Sequence, residues 1–336
     1  MNDNILNPKL LQKAVLALPK DDLTDMRWEA AKRFANMGFP VTGSENWKYT
    51  NLTEIAKLTN SWLHGLVKNS RARNGESDER IVQSVTDSID AHWIIVRDGL
   101  VDSDITGPQG TTIKNISAVN SKIVTGNDAM SVFNAALLRD GLHIRVETEP
   151  LKPIGILYID KPSNAVAQNR TIIEVTEQSR LQVIECCLSA AAGQQLTNAV
   201  IDFSIAGNAS VDHVRIQNRE FQHAGINRVN ALLDENANFN HNSFDLGGGL
   251  TRTDIVTEID GEGAVVNLNG LYLASDNQHI DNHTDIMHKV GPSTSTEEYR
   301  GILSGHSQCV FNGRVFVAEG ADGTDSSQSN HNLLLS

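Results

Sequence analysis

Cysteine is nearly absent from this 336-residue chain. The three residues, Cys186, Cys187 and Cys309, show no CxxC spacing. That excludes a disulfide scaffold and leaves neither a zinc knuckle nor a thioredoxin-type site signalled. Aromatic residues make up only 5%, which disfavours base-stacking platforms and the aromatic subsites of sugar-binding grooves. Positive charge is also in deficit. Lys plus Arg number 28 against 41 Asp plus Glu, and the formal charge of −13 leaves no electrostatic footprint for nucleic acid or an anionic membrane surface. No stretch approaches the roughly 18 apolar residues of a membrane helix. Met1 to Leu10 lacks a basic region followed by an apolar run, so we expect no signal peptide and a cytoplasmic protein. Walker, GxGxxG, GxSxG and HExxH motifs are missing, which removes support for nucleotide-binding, serine-hydrolase and zincin readings.

What is present describes an ordinary globular protein, 40% hydrophobic and 21% charged, long enough for about two domains. The first sixty residues have a helical rhythm. Leu10, Leu11, Ala14, Val15 and Leu18 share one helix face that ends at Pro19. A second stripe of Leu23, Met26, Ala30, Phe34 and Met37, capped by Asp21 or Asp22, stops at Gly38 and Pro40. This part holds eight basic and seven acidic residues, so nearly all the negative charge lies beyond it. The polar run Asn69 to Arg80 reads as a linker or long loop.

From about residue 150 the texture changes to short strands divided by Gly, Asn and Asp turns. A strand–turn–strand phrase recurs at Ile172–Glu185, Ile201–Ile216, Val229–Phe244 and Ile255–Leu268. Its turns begin at Glu177, Gly207, Glu235 and Gly261, which are 30, 28 and 26 residues apart. A repeat of that length built from strand and turn signals a β-solenoid, with inward side chains such as Ile201, Phe203 and Ile205. An antiparallel sandwich gives similar strand spacing and stays open as the competing architecture. After Leu268 the rhythm is expected to break, with a projecting insertion between there and the phrase at Ile302–Phe311.

The segment with the most chemical character is Gln278–Asp285. On a strand, His279, Asp281, His283 and Asp285 share one face, and imidazoles and carboxylates alternating at i and i+2 can ligate a metal. The plainer reading, which we prefer, is a solvated outer face over a buried row of Ile280, Asn282, Thr284 and Ile286, with His288 as a structural histidine on the inward register. Asp254, Glu258 and Asp260 could supply the paired carboxylates of a β-helix glycosidase or lyase, and also fit as outward strand residues. The three cysteines could be thiolate ligands for iron–sulfur chemistry, but buried inert thiols fit better. Cys186 and Cys187 must point to opposite faces of one strand.

Several phrases resemble the SufB/SufD family of the SUF iron–sulfur cluster assembly system. Gly38-Phe39-Pro40 followed by SENWKYTNL (Ser44–Leu52) is similar to the N-terminal element of the SufD branch. QHIDNHTD leads into GPSTSTEEYRGILSG (Gly291–Gly305), VFNGRVFV (Val310–Val317) and TDSSQSNHNLLLS (Thr324–Ser336), in the order of the SufB/SufD core. The resemblance implies a mainly β protein, a right-handed parallel β-helix preceded by a small α-helical N-terminal domain. It places the helical domain at 1–68, a linker and first strands at 69–150, and the core at 151–336. It also implies a non-catalytic scaffold subunit that pairs with a SufB-like subunit and works with a SufC-like ATPase to serve apo iron–sulfur proteins. An iron–sulfur cluster would be carried transiently by the complex and not held by this chain alone. No catalytic, cofactor or metal residue is assigned. Family members continue past the Asn-Leu-Leu-Leu-Ser phrase, so the SufC-docking helices and the cysteine/histidine segment are expected beyond Ser336, with the solenoid incomplete at that end.

Overall fold

A computed structural model describes residues 6–40, 44–66, 76–102, 105–118, 126–161, 166–190 and 192–335. The chain opens with three helices, α1 (Pro8–Ala17), α2 (Thr24–Met37) and α3 (Thr53–Leu66), and a single 3-10 turn at Glu45–Trp47 between the last two. Asn7 caps α1 by accepting from the amides of Lys9 and Leu10. At the start of α2, Asp21 accepts from the Leu23 amide and from Arg27, a side chain buried under the helices. The start of the polar run expected to be a linker, residues 69–75, lies outside the described residues. Its end does not form a loop, because Glu76–Ser88 is helix α4, whose Ile81, Val82 and Val85 supply an apolar stripe.

The solenoid begins earlier than residue 150. Strands β1 (His92–Arg97), β2 (Leu100–Val101) and β3 (Thr111–Asn115) precede a buried helix, α5 (Ala129–Leu137). Then come β4 (Leu142–Val146), β5 (Ile154–Asp160), β6 (Val166–Val175), β7 (Arg180–Ser189), β8 (Gln195–Ile205) and β9 (Ser210–Asn218). The series continues through β10 (His223–Leu233), β11 (Asn238–Asp245), β12 (Leu250–Ile259) and β13 (Val265–Ala274). It closes with β14 (His279–His288), β15 (Thr294–Leu303), β16 (Gln308–Val317) and β17 (Asp325–Leu334). Odd strands from β5 onward lie side by side in one parallel sheet and even strands from β4 onward in the other. The chain therefore alternates between two facing sheets, and the sandwich alternative, which needs antiparallel neighbours, is overturned.

The side chains between the sheets explain why consecutive rungs stack in register. Leu181, Val211, Phe239 and Val266 form one straight inner row, and Ile205, Leu233 and Ile259 form another on the facing sheet. Each such side chain is worth about 1.5–3 kcal/mol of apolar burial. The tight turns recur with the same geometry. Gln178, Asn208, Asn236 and Gly263 all take positive φ at equivalent places, where Asn and Gly are best tolerated. Successive turns also bond to one another, as in Asn208 N–H to the Glu235 carbonyl at 2.9 Å.

The expected break after Leu268 does not occur. β14 pairs with β12 and β16 along its whole length, and β15 pairs likewise with β13 and β17. What looked like an insertion is a rung whose inner positions include polar residues, Asn282, Thr284 and His288, in place of an unbroken apolar row. His288 is fully buried and bonds Ser293 and Ser295 at 2.8 and 2.9 Å. Neighbouring rungs also interlock tyrosine with glycine. The Tyr299 ring lies over Gly270 and the Tyr272 ring over Gly301, with ring atoms 2.2 and 2.1 Å from where a Cβ would stand.

Helices α3 and α5 pack on the outer face of the even sheet, and α1 and α2 pack on them, in one cluster that takes in side chains of β6, β8, β10 and the start of β12. α4 covers the outer face of the odd sheet at its first rungs. Among the described residues no helix is long and apolar enough to cross a membrane. The interlock makes a sharp expectation: Gly270→Ala should destabilise by about 1–3 kcal/mol through overpacking against Tyr299. Urea denaturation measures this, and an unchanged midpoint would show that the ring is not seated there.

Candidate functional site

The His/Asp stripe lies on the outer face of β14, as its spacing required, but at Asp281 that face is closed to solvent. Residues Ser44–Leu52 run across it as a strap, anchored at one end by Phe39 among Phe34 and Phe133, and at the other by buried Leu52 leading into α3. Beneath the strap sits Arg252, on β12 directly beside Asp281 and only 1% exposed. Its guanidinium donates to Asp281 at 2.6 Å and to the two oxygens of Asp254 at 2.8 and 3.0 Å. Its face packs on the Trp47 ring, 4.0 Å from the centroid.

Asp281 is the hub. Its Oδ1 lies 2.8 Å from His283 Nε2, and its Oδ2, the oxygen that Arg252 engages, accepts a hydrogen bond from the fully buried Thr50 hydroxyl. That hydroxyl also lies 3.1 Å from His279 Nε2, so with Thr50 donating to Asp281 the imidazole is the donor to Thr50. Burial works to raise the Asp281 pKa, but His283, Arg252 and Thr50 together outweigh it and hold the carboxyl below its ordinary range. Burial, reinforced by Arg252, lowers the His279 pKa, which keeps its imidazole neutral.

This geometry bears on both chemical readings of the stripe. A metal ion would need the carboxylate that Arg252 already engages. Among the described residues no group of three or more His, Cys, Asp or Glu is arranged to hold a metal. For a glycosidase, Asp254 and Asp281 would have to face a substrate, whereas both are bonded to the same buried guanidinium. Glu258 and Asp260 share Lys289 at 2.6 and 2.9 Å on the outer surface. Asp285 pairs with Arg314. The solvated face preferred from the sequence therefore holds for Asp285, and fails at Asp281, where the strap covers it.

The cysteines divide as the strand alternation requires. Cys186 faces outward under α4 and Cys187 inward, both buried. Burial pushes the Cys186 thiol up to about 12 and Cys309 to about 11, and also raises Cys187. Thiols so protonated are poor nucleophiles and poor metal ligands.

The sequence reading missed a second polar assembly inside the solenoid. Glu185, His213 and His241 form a buried chain, with links of 2.9 and 3.0 Å. Burial tends to raise the Glu185 carboxyl, but His213 and Arg215 hold it below its usual range, while burial drives His241 well below its own. Alongside, Arg215 pairs with Asp245 at 3.3 Å and Arg219 with Asp160 at 2.7 Å, all buried. A signal existed: His213 and His241 are one repeat of 28 residues apart, so they had to stack. Two measurements test these assignments. Arg252→Ala should cost about 3–5 kcal/mol because it strands a buried carboxylate, and adding Asp281→Asn should recover part of that loss; equal losses in the single and double variants would contradict the pairing. With a thiol-reactive disulfide at pH 8, the native chain should react only slowly and the unfolded chain rapidly at all three cysteines.

Residues 157–336 match the family model described as SUF system FeS cluster assembly, SufBD core domain, which takes in the solenoid from β5 onward. The chain is 27% identical to the iron–sulfur cluster assembly protein SufD of Escherichia coli, over 89% of this chain and 70% of that protein. It is 25% identical to a SufBD family protein of Mycobacterium leprae, over 88% of this chain and 70% of the relative. With a SufBD family protein of Mycobacterium tuberculosis the figures are 26% identity, 62% of this chain and about half, 52%, of the relative. Since the family model spans more than half of the sequence and coincides with the observed solenoid, the chain belongs to the SufBD core family of the SUF iron–sulfur cluster assembly system.

Proposed function

We propose that this protein is a non-catalytic scaffold subunit of a SUF complex in the cytoplasm, pairing with a SufB-like subunit and working with a SufC-like ATPase. A cluster under assembly is cargo of that complex, passed on to apo proteins, and is not held by this chain alone. The observation that carries the reading is the coincidence of the family match with a solenoid whose reactive groups are already engaged. The His/Asp stripe is locked by Arg252 and Thr50, and the thiols are held protonated. The similarity to the SufD protein of Escherichia coli supports the same assignment. The missing Walker loop fits ATP hydrolysis residing in a separate subunit.

Under this reading the chain acts by shape. Its two parallel sheets offer long, rigid faces and edges, and sheet edges are natural sites of pairing with another chain. The β-helix enzyme and the metal module are disfavoured by the bonds around Asp281 described above.

Co-expression with tagged SufB-like and SufC-like proteins, followed by pull-down and iron and sulfide analysis, tests this. Capture in a complex that contains iron and sulfide, with the isolated chain colourless, is the expected result. Stoichiometric cluster binding by the chain alone, or failure of both partners to capture it, would overturn the proposal.

A further inference from the structure

Inside the middle rungs of the solenoid one position interrupts a polar column. Asn169 on β6, Ala199 on β8 and Asn227 on β10 stand in register on the inward side of the even sheet. On the outer face of the odd sheet an uninterrupted column of this kind bonds rung to rung. Asn240 donates to Asp212 and Asn267 to Asn240, each at 2.8 Å. An amide reaches the next rung, about 4.8 Å away, but not the one after it. Ala199 therefore separates the two inner amides, and its side chain ends at the methyl group.

A cavity of about 10 Å³ borders Ala199, lined also by Asn169 and Asn227 and, from the facing sheet, by Glu185, Cys187 and Arg215. That is the least volume that holds one water. Three polar atoms of these lining residues, Asn169 Oδ1, Asn227 Oδ1 and Arg215 Nη2, are buried with no hydrogen-bond partner among the described residues. The three side chains belong to residues only 2–3% exposed, where an unpaired group is costly. The Asn227 amide is oriented by its Nδ2, which donates to the Arg252 carbonyl at 3.0 Å, so the atom left over is the acceptor. The wall also selects the charge of its ligand. Arg215 repels a cation, and the Glu185 carboxyl, held below its usual range by His213 and Arg215, repels an anion. An apolar occupant would leave two acceptors and one donor unpaired.

We propose that this is a binding site for a single resident water, which donates to Asn169 Oδ1 and Asn227 Oδ1 and accepts from Arg215 Nη2. A water has two donors and two acceptors, so one molecule gives each of the three atoms its partner. At ordinary hydrogen-bond length it spans about 5.6 Å between its two acceptors, enough to link amides that lean toward each other across Ala199. It takes the place of the side chain that Ala199 lacks and ties the even sheet to Arg215 on the odd one. The proposal does not depend on the scaffold reading, since it rests on the interior of the solenoid alone.

Two measurements on the full 336-residue protein test this. A high-resolution crystal structure should show one ordered water beside Ala199, within hydrogen-bond distance of the three named atoms. In solution, oxygen-17 relaxation dispersion counts long-lived internal waters, and Ala199→Ser sets a hydroxyl where the water stands. The variant, with its fold checked by circular dichroism, should show one long-lived water fewer than the native protein. Absence of a water peak at the site, or a peak that none of the three atoms contacts, would overturn the proposal. So would an equal count of long-lived waters in the native protein and a folded Ala199→Ser variant. The crystallographic measurement needs no substitution, so it decides the matter even if the variant fails to fold.

Discussion

Everything in this molecule depends on the in-register hydrogen-bond ladder that ties each rung to the next. A parallel ladder places equivalent residues directly over one another, so whatever a position carries becomes a column along the solenoid. Where the column is aliphatic or aromatic, as at Leu181, Val211, Phe239 and Val266, it is core. Where it is polar and inward, as at His213 and His241, it must bond along the axis, because water is excluded and an unpaired buried group is costly. The glycine–tyrosine interlock follows from the same constraint: the column neighbours of Tyr299 and Tyr272 are Gly270 and Gly301, which leave room for the rings to lean across.

The columns on the outside decide how the remaining elements attach. Apolar outer columns recruit helices, α5 and its neighbours on the even sheet and α4 on the odd one. The strap at Ser44–Leu52 is different, since what it covers is charged. Arg252 and Asp281 can be buried there only because each is bonded at several points, through Asp254, His283, Thr50 and the face of Trp47. This bonded cluster joins the helical region to β12 and β14 beside the apolar packing of the helices. The Trp-Lys-Tyr-Thr phrase and the His/Asp phrase, more than 220 residues apart in the chain, are two halves of one joint.

Much of the fold was legible in the sequence, because a repeat of 26 to 30 residues leaves a periodic trace that local alternation reinforces. The opposed orientations of Cys186 and Cys187 and the inward register of His288 followed from the two-residue period of a strand. The false break after Leu268 shows the limit of that argument. Periodicity of apolar residues marks the rungs only while the inner rows are apolar, and β14 and β15 carry Asn282, Thr284, His288, Ser295 and Glu297 inward. The polar residues disguised a rung whose backbone register is unbroken.

The sequence by itself determined the architecture, the family and the inside-or-outside sense of most strand positions, since these rest on local spacing and on phrases contiguous in the chain. Only the tertiary structure decided what the outward residues do. Whether Asp281 meets solvent, a metal or an arginine depends on a column neighbour one rung away and on a strap from the other end of the chain. The outward Leu157, Ile159 and Cys186 on the odd sheet are likewise closed off by α4, an element from earlier in the chain. Contacts of that range are set by packing of whole elements, and no local pattern of residues encodes which element arrives.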